Sequence, residues 1–228
     1  MRKITYGLGT AGIIAIICLA TNVIYANYPS HHVPAPEKDA VMEQFQPYVA
    51  IAGGYGNFES MAQNTGNTAF GRLAIGITSP IDLNTALGAE VGIQSAKRMR
   101  LTDESVAPFF ARAYFPLPVF VTISPPIDIL ATLNYHMSPQ VFFELKAGGV
   151  YLQSMIDDAD IAGINQWNAE VQAGLGFNIS DSSRIVFGYQ HFFGNTPGIK
   201  HLSLRRGTAQ LSNLPSWNAG MITYEKSF

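Results

Sequence analysis

Every second residue from Ala169 to Ile179 falls into one of two lists. Ala169, Val171, Ala173, Leu175, Phe177 and Ile179 are apolar; Glu170, Gln172, Gly174, Gly176 and Asn178 are polar or bare. Alternation with period two predicts a β-strand with unlike faces. The same pattern recurs along the chain and predicts eight strands, at about 46–58, 69–79, 83–95, 127–137, 141–153, 166–180, 184–194 and 216–228. Leu73, Ile75 and Ile77 oppose Arg72, Ala74, Gly76 and Thr78. Leu87, Ala89, Val91 and Ile93 oppose Gly88, Glu90, Gly92 and Gln94. Ile127, Ile129, Ala131 and Leu133 oppose Asp128, Leu130, Thr132 and Asn134. Phe143, Leu145 and Ala147 oppose Phe142, Glu144 and Lys146. The first strand, with "YVAIAGGYGNF", is dominated by small residues, and its faces do not separate.

The connections sharpen this picture. "PID" (Pro80–Asp82), "SPQ" (Ser138–Gln140) and "DSS" (Asp181–Ser183) are tight-turn sequences. The other four connections, at about 59–68, 96–126, 154–165 and 195–215, are long. Long and short alternate strictly. An up-and-down barrel in an outer membrane has this order, with short turns on the periplasmic side and long loops outside. The expected fold is all-β: an eight-stranded antiparallel up-and-down transmembrane β-barrel. Its apolar lists face lipid and its polar lists face a lumen that eight strands leave just wide enough for side chains to fill. Inward glycines such as Gly88, Gly92, Gly174 and Gly176 relieve crowding there. Trp167, Tyr135, Tyr151, Tyr189 and Trp217, near strand ends, suit the two membrane interfaces.

Composition agrees. Hydrophobic residues make up 47% of the 228 and charged residues 13%, low against the roughly 25% usual for soluble domains. No apolar run beyond the N-terminus is long enough for a spanning helix. Arg2 and Lys3 precede "GIIAIICLA" (Gly12–Ala20), and Ala26 is a suitable residue before cleavage. Residues 1–26 therefore read as a secretory signal peptide. Residues 27–44, proline-rich and polar, read as a flexible lead, and 45–228 as the barrel. Cleavage removes two of the 14 basic residues and leaves 12 against 16 acidic ones, about −4. The single cysteine, Cys18, lies in the signal, so the exported chain has no disulfide. Ile17 stands where a lipoprotein signal has a small residue, and lipidation is not expected.

The chain ends in "MITYEKSF". With the signal peptide and the loop order, this ending resembles the small eight-stranded outer-membrane barrels, the OmpA transmembrane-domain and opacity-protein group. The resemblance covers the whole exported chain. It implies the outer membrane of a Gram-negative bacterium and recognition of Ile222, Tyr224 and Phe228 by the barrel assembly machinery. Lys226 departs from that terminal pattern.

Candidate site residues follow from the inward lists. Arg72, Glu90, Asp128, Glu144, Lys146, Glu170 and Gln172, with Glu225, form an expected lumen polar network. Both charge signs are present, and buried charges require partners, so a plug is favoured over an ion path. "KRMR" (Lys97–Arg100) and the last long loop place Lys97, Arg98, Arg100, Arg205 and Arg206 as candidate contacts for lipopolysaccharide phosphates, which arginine forks fit well. Outer-membrane lipid and lipopolysaccharide are thus expected partners. An extracellular or host ligand would be met through the loops, and no nucleic acid is expected. "FPLPVFVTISPP", in the second long loop, could fold over the mouth, extend a strand or bind a partner.

No metal or cofactor is expected. His31 and His32 stand without other ligand types nearby, and "DDAD" (Asp157–Asp160) lacks calcium-loop spacing. "YQHFFGN" (Tyr189–Asn195) is similar to a lipid A deacylase motif, but Phe193 occupies the position of the nucleophilic serine. "HLS" (His201–Ser203) has the spacing but lies in an expected loop, and no third member is evident. The reading is a structural or surface-interaction barrel and not an enzyme. A narrow porin-like channel and an exported soluble lipocalin-like carrier are the alternatives.

Overall fold

The computed structural model describes residues 45–59, 67–101, 119–156, 161–195, 199–203 and 208–228. The expected signal peptide, the lead with His31 and His32, and Asp157–Asp160 lie outside the described residues, as do Arg205 and Arg206. Among the described residues every regular element is a strand. Eight of them form the barrel: β1 (Gln46–Phe58), β2 (Thr68–Pro80), β3 (Thr85–Gln94), β6 (Ile127–His136), β7 (Val141–Ile156), β9 (Asn165–Ser180), β10 (Ser183–Phe192) and β13 (Trp217–Ser227). Each pairs antiparallel with the next, and β13 returns to β1 with Tyr48 opposite Ser227 and Phe58 opposite Trp217. The sheet is closed, so no barrel strand has an unpaired edge, which hydrocarbon demands.

Three short turns lie at one end: Ile81–Asn84, Met137–Gln140 and Asp181–Ser182. In the first, Asp82 Oδ1 accepts the backbone N–H groups of Asn84 (2.8 Å) and Thr85 (2.7 Å). These bonds hold the Asp82 carboxyl below the usual carboxylate range. The other end carries more strand than alternation predicts. β4 (Lys97–Leu101) and β5 (Val119–Ile123) pair antiparallel, and β5 also pairs with the end of β7. Together they extend the wall beyond β3 and β6. β8 (Ile161–Ala162), β11 (Ile199–Ser203) and β12 (Thr208–Leu211) form a separate three-stranded sheet.

Burial follows the alternation, inverted relative to a water-soluble protein. Ile75, Leu73, Leu87, Ile129 and Leu175 point outward and are exposed, while Arg72, Glu90, Asp128, Lys146 and Glu170 are buried. Water would penalise such an exterior, and hydrocarbon solvates it. The faces of β1 also resolve. Tyr48, Ala50, Ala52 and Phe58 are buried inside, and Ile51 and Tyr55 are exposed outside. Glycine makes room for the large inward rings. A Cβ on Gly176 would land in the ring of Phe142, its neighbour across the β7–β9 pair.

Candidate functional site

The lumen is built in layers, and the middle layer is ionic. Arg72, on β2, bonds Glu90 of β3 (2.6 Å) and clasps Asp128 of β6, with Nε at 2.9 Å from Oδ2. Lys146, on β7, reaches Glu90 (2.9 Å), Glu144 (3.2 Å) and Glu225 of β13 (3.1 Å). Arg184 Nε, on β10, bonds Glu225. The Tyr48 hydroxyl donates to Glu90 (2.8 Å), and the Arg184 guanidinium stacks over Tyr48 and Phe142. A continuous chain of ion pairs, Asp128–Arg72–Glu90–Lys146–Glu225–Arg184, therefore crosses the barrel. Several of its links join strands that are not neighbours in the sheet, so they span the interior rather than run along the wall. Among the described residues four buried or nearly buried cations face five carboxylates.

Beside this layer lies an amide cluster. Glu170 Oε1 accepts from Gln172 Nε2 and Gln190 Nε2, both at 2.6 Å. Glu170 Oε2 and both glutamine oxygens have no hydrogen-bond partner among the described residues.

Toward the long-loop end the lumen becomes apolar. Trp217, Phe58, Phe70, Phe192, Leu214 and Ile123 pack into one buried cluster. Trp217 is fully buried, so it fills the mouth instead of anchoring at an interface. Its register explains this: it stands opposite Phe58 and Phe192, on the inward parity of β13. Lys97 needs a correction too. Expected at the surface as a lipopolysaccharide contact, it is 2% exposed. Its Nζ donates to Gln94 Oε1 (2.8 Å) and lies 4.5 Å from the Trp217 ring centre and 4.7 Å from that of Phe192. The cause is local. Ser95 and Ala96 interrupt the strand and are exposed, so Gln94 and Lys97, three apart, both point inward. The side chains of Arg98 and Arg100 lie outside the described residues.

At the short-turn end the lumen opens into a polar vestibule of about 390 Å3, lined by Gln46, His136, Asn178, Ser183 and Arg184 among others.

Sequence reasoning did not name Arg184, Gln190 or Tyr48. For the first two a signal existed: Arg184, Val186, Gly188, Gln190 and Phe192 alternate with Ile185, Phe187, Tyr189 and His191. For Tyr48 there was none, because β1 carries small residues on both faces. Ile222, Tyr224 and Phe228 are exposed on the outer face. Lys226, between the last two, bonds the hydroxyl of Ser182 (2.6 Å). His191, at the deacylase-like motif, points outward. Its Nδ1 meets Asn218 Oδ1 at 2.7 Å and its ring lies edge-on to Phe193. The side chain of Ser203 lies outside the described residues.

No protein-family model matches the sequence, and no curated protein matches it. Solved structures similar in fold include three membrane barrels. Ail, the attachment invasion locus protein of Yersinia pestis, was solved with the heparin analogue sucrose octasulfate; it shows 8% identity over 81% of this chain and 97% of its own, with a TM-score of 0.45. Neisserial surface protein A shows 11% identity over 80% and 96%, with a TM-score of 0.43. Outer membrane protein W of E. coli shows 15% identity over 82% and 100%, with a TM-score of 0.43.

Proposed function

We propose that the chain is an integral outer-membrane barrel of a Gram-negative bacterium, closed to ions, that serves as a structural or surface-interaction scaffold through its long connections. Residues 1–26 direct its export, 27–44 form a lead, and 45–228 form the barrel. The short-turn end faces the periplasm and the long-loop end the medium. Ile222, Tyr224 and Phe228 present the assembly machinery with a row of apolar groups on one face of the last strand. Arg98, Arg100, Arg205 and Arg206 belong to the outer connections, where lipopolysaccharide phosphates are at hand.

The observation that carries this reading is the ion-pair chain across the lumen beneath a mouth packed with Trp217, Phe58, Phe70 and Phe192. A conducting path needs continuous water. Here opposite charges meet in the middle and an apolar plug sits above them. With the lumen closed, the outer hairpin of β4 and β5 and the small β8–β11–β12 sheet are the parts left to meet a partner.

Planar-bilayer recording on the purified, heat-modifiable form tests the reading. Silence is expected. Steady, frequent openings would replace it with the narrow channel. A companion variant, with residues 102–118 replaced by a short turn so that Lys97 and Ile123 stay in the mouth, should still insert and should alter the surface adhesion of cells that display it. Unaltered adhesion would remove the interaction role from this hairpin.

A further inference from the structure

The outer wall formed by β1, β13 and β10 differs from the rest of the belt. Its register sets three outward rows one above another. Asn57, Asn218 and His191 form the row nearest the long-loop end. Tyr55, Gly220 and Tyr189 form the next. Gly53, Ile222 and Phe187 form the third. The gradient runs from polar to aromatic to apolar. Gly220 lies bare between two tyrosines, and a Cβ built on Gly220 or on Gly53 meets nothing within 4 Å. The result is a groove of about 650 Å3 between Tyr55 and Tyr189, with Gly53, Ala173, Phe187 and Ile222 along its length. It continues into a mainly apolar recess of about 270 Å3 whose lining includes the side chains of Asn57, Asn67 and Asn218. Tyr55, Tyr189 and Gly220 line both. Both are shallow, open furrows in the outer wall, shaped to take a chain lying along the surface and not one enclosed in a cavity.

The polar head of the groove is organised. Asn218 accepts from the Tyr189 hydroxyl, meets His191 Nδ1 at 2.7 Å, and donates to the Glu59 carboxylate. Polar side chains turned toward lipid are costly unless they are satisfied. Here they satisfy one another and leave asparagine and tyrosine groups facing the recess. Among the described residues neither pocket is lined by a lysine or an arginine, and Glu59 adds a carboxylate beside Asn218. Such a head suits hydroxyl and amide groups and disfavours a phosphate.

We propose that this groove binds one acyl chain of an outer-leaflet lipopolysaccharide, with the amide and hydroxyl groups where that chain joins its sugar held against Asn57, Asn218 and the two tyrosine rims. The chain would lie over Gly220 and Gly53 toward Ile222 and Phe187. The inference rests on the membrane reading above. It makes hydrocarbon and sugar, not phosphate, the groups recognised on this wall.

Native mass spectrometry of the folded protein in detergent, titrated with a rough lipopolysaccharide, phosphatidylethanolamine or phosphatidylglycerol, provides the test. The expected result is preferential retention of the lipopolysaccharide by the unaltered protein. Gly220→Leu and, separately, Gly53→Leu should fill the groove and weaken that retention by about tenfold, the equivalent of one or two methylenes no longer buried. Both positions face open space, so both variants should keep their heat-modifiable migration. Leu87→Ala, on the far wall, should bind as the unaltered protein does. Equal retention of all three lipids, or groove variants that bind normally, would overturn the proposal. Loss of heat-modifiability in the unaltered protein would instead overturn the membrane reading beneath it.

Discussion

Replacing Lys146 with methionine removes the charge and the terminal ammonium while keeping an unbranched side chain one atom shorter. Lys146 is 1% exposed and reaches three carboxylates: Glu90, Glu144 and Glu225. Two of them keep a cation in the variant, since Arg72 still bonds Glu90 and Arg184 still bonds Glu225. Glu144 keeps none among the described residues, and its Oε2 already lacks a hydrogen-bond partner. Removing one member of a buried pair costs about 3–5 kcal/mol, mostly for the charge left behind. With one carboxylate stranded and two still held, the expected loss is about 3 kcal/mol, or roughly a hundredfold in the folding equilibrium. The logic predicts a rescue. Lys146→Met combined with Glu144→Gln removes the stranded charge and should recover about 1–2 kcal/mol. Urea unfolding from lipid vesicles, followed by tryptophan fluorescence, measures both, because Trp217 is buried in the mouth and Trp167 exposed on the wall. A Lys146→Met midpoint shift equivalent to less than about 0.5 kcal/mol, or a double variant as unstable as the single, would refute the account of a shared central cation.

Three further outcomes are expected. Leu175→Arg, on the exposed apolar face of β9, should destabilise the inserted protein by about 2–4 kcal/mol if the site lies near the midplane, measured by the same unfolding titration; an equal effect from Leu175→Gln would point away from a hydrocarbon solvent. Gly176→Val should drive a methyl group into the ring of Phe142 and cost about 1–3 kcal/mol by overpacking, with Phe142→Ala in the same chain relieving part of the loss. At the Asp82 turn the folded carboxyl is held low by backbone N–H groups, so its contribution is fully present above the ordinary carboxylate range and fades as the pH falls through the lowered value. The stability gap between the unaltered protein and Asp82→Ala should therefore shrink in acid, and a gap that widens there would contradict the assigned bonds.

Which parts of this architecture the sequence exposed depends on the range of the physics involved. Alternation is local, and it placed the barrel strands to within a few residues, since "AEVQAGLGFNI" fits one pleat whatever its neighbours are. Turn chemistry is local too, and "PID", "SPQ" and "DSS" each stand at an observed turn. The pairing of Lys146 with Glu225, 79 positions away, depends on register around a closed sheet, which no single stretch encodes. Lys97 shows a subtler limit. Two residues of irregular backbone at Ser95 and Ala96 shift the parity, and a lysine that reads as exposed turns inward under three aromatic rings. Of the three roles open to "FPLPVFVTISPP", strand extension is the one seen, in β5 paired with β7; its partner β4 escapes a reading by alternation because it is short and follows the irregular Ser95 and Ala96. In β1, alanine and glycine on both sides erased the contrast on which face assignment relies.

Among the described residues the lumen is asymmetric, stoppered by aromatic rings at one end and hollow at the other. On the closed-barrel reading proposed above, a solute that reaches Arg184 or His136 arrives from the short-turn side. The two ends are nonetheless joined: Gln94 bonds both Lys97 under the stopper and Asp128, from which the ion-pair chain runs on to Arg184 at the vestibule. A change of charge in the hollow is thus passed along one connected set of bonds to the lysine beneath the rim.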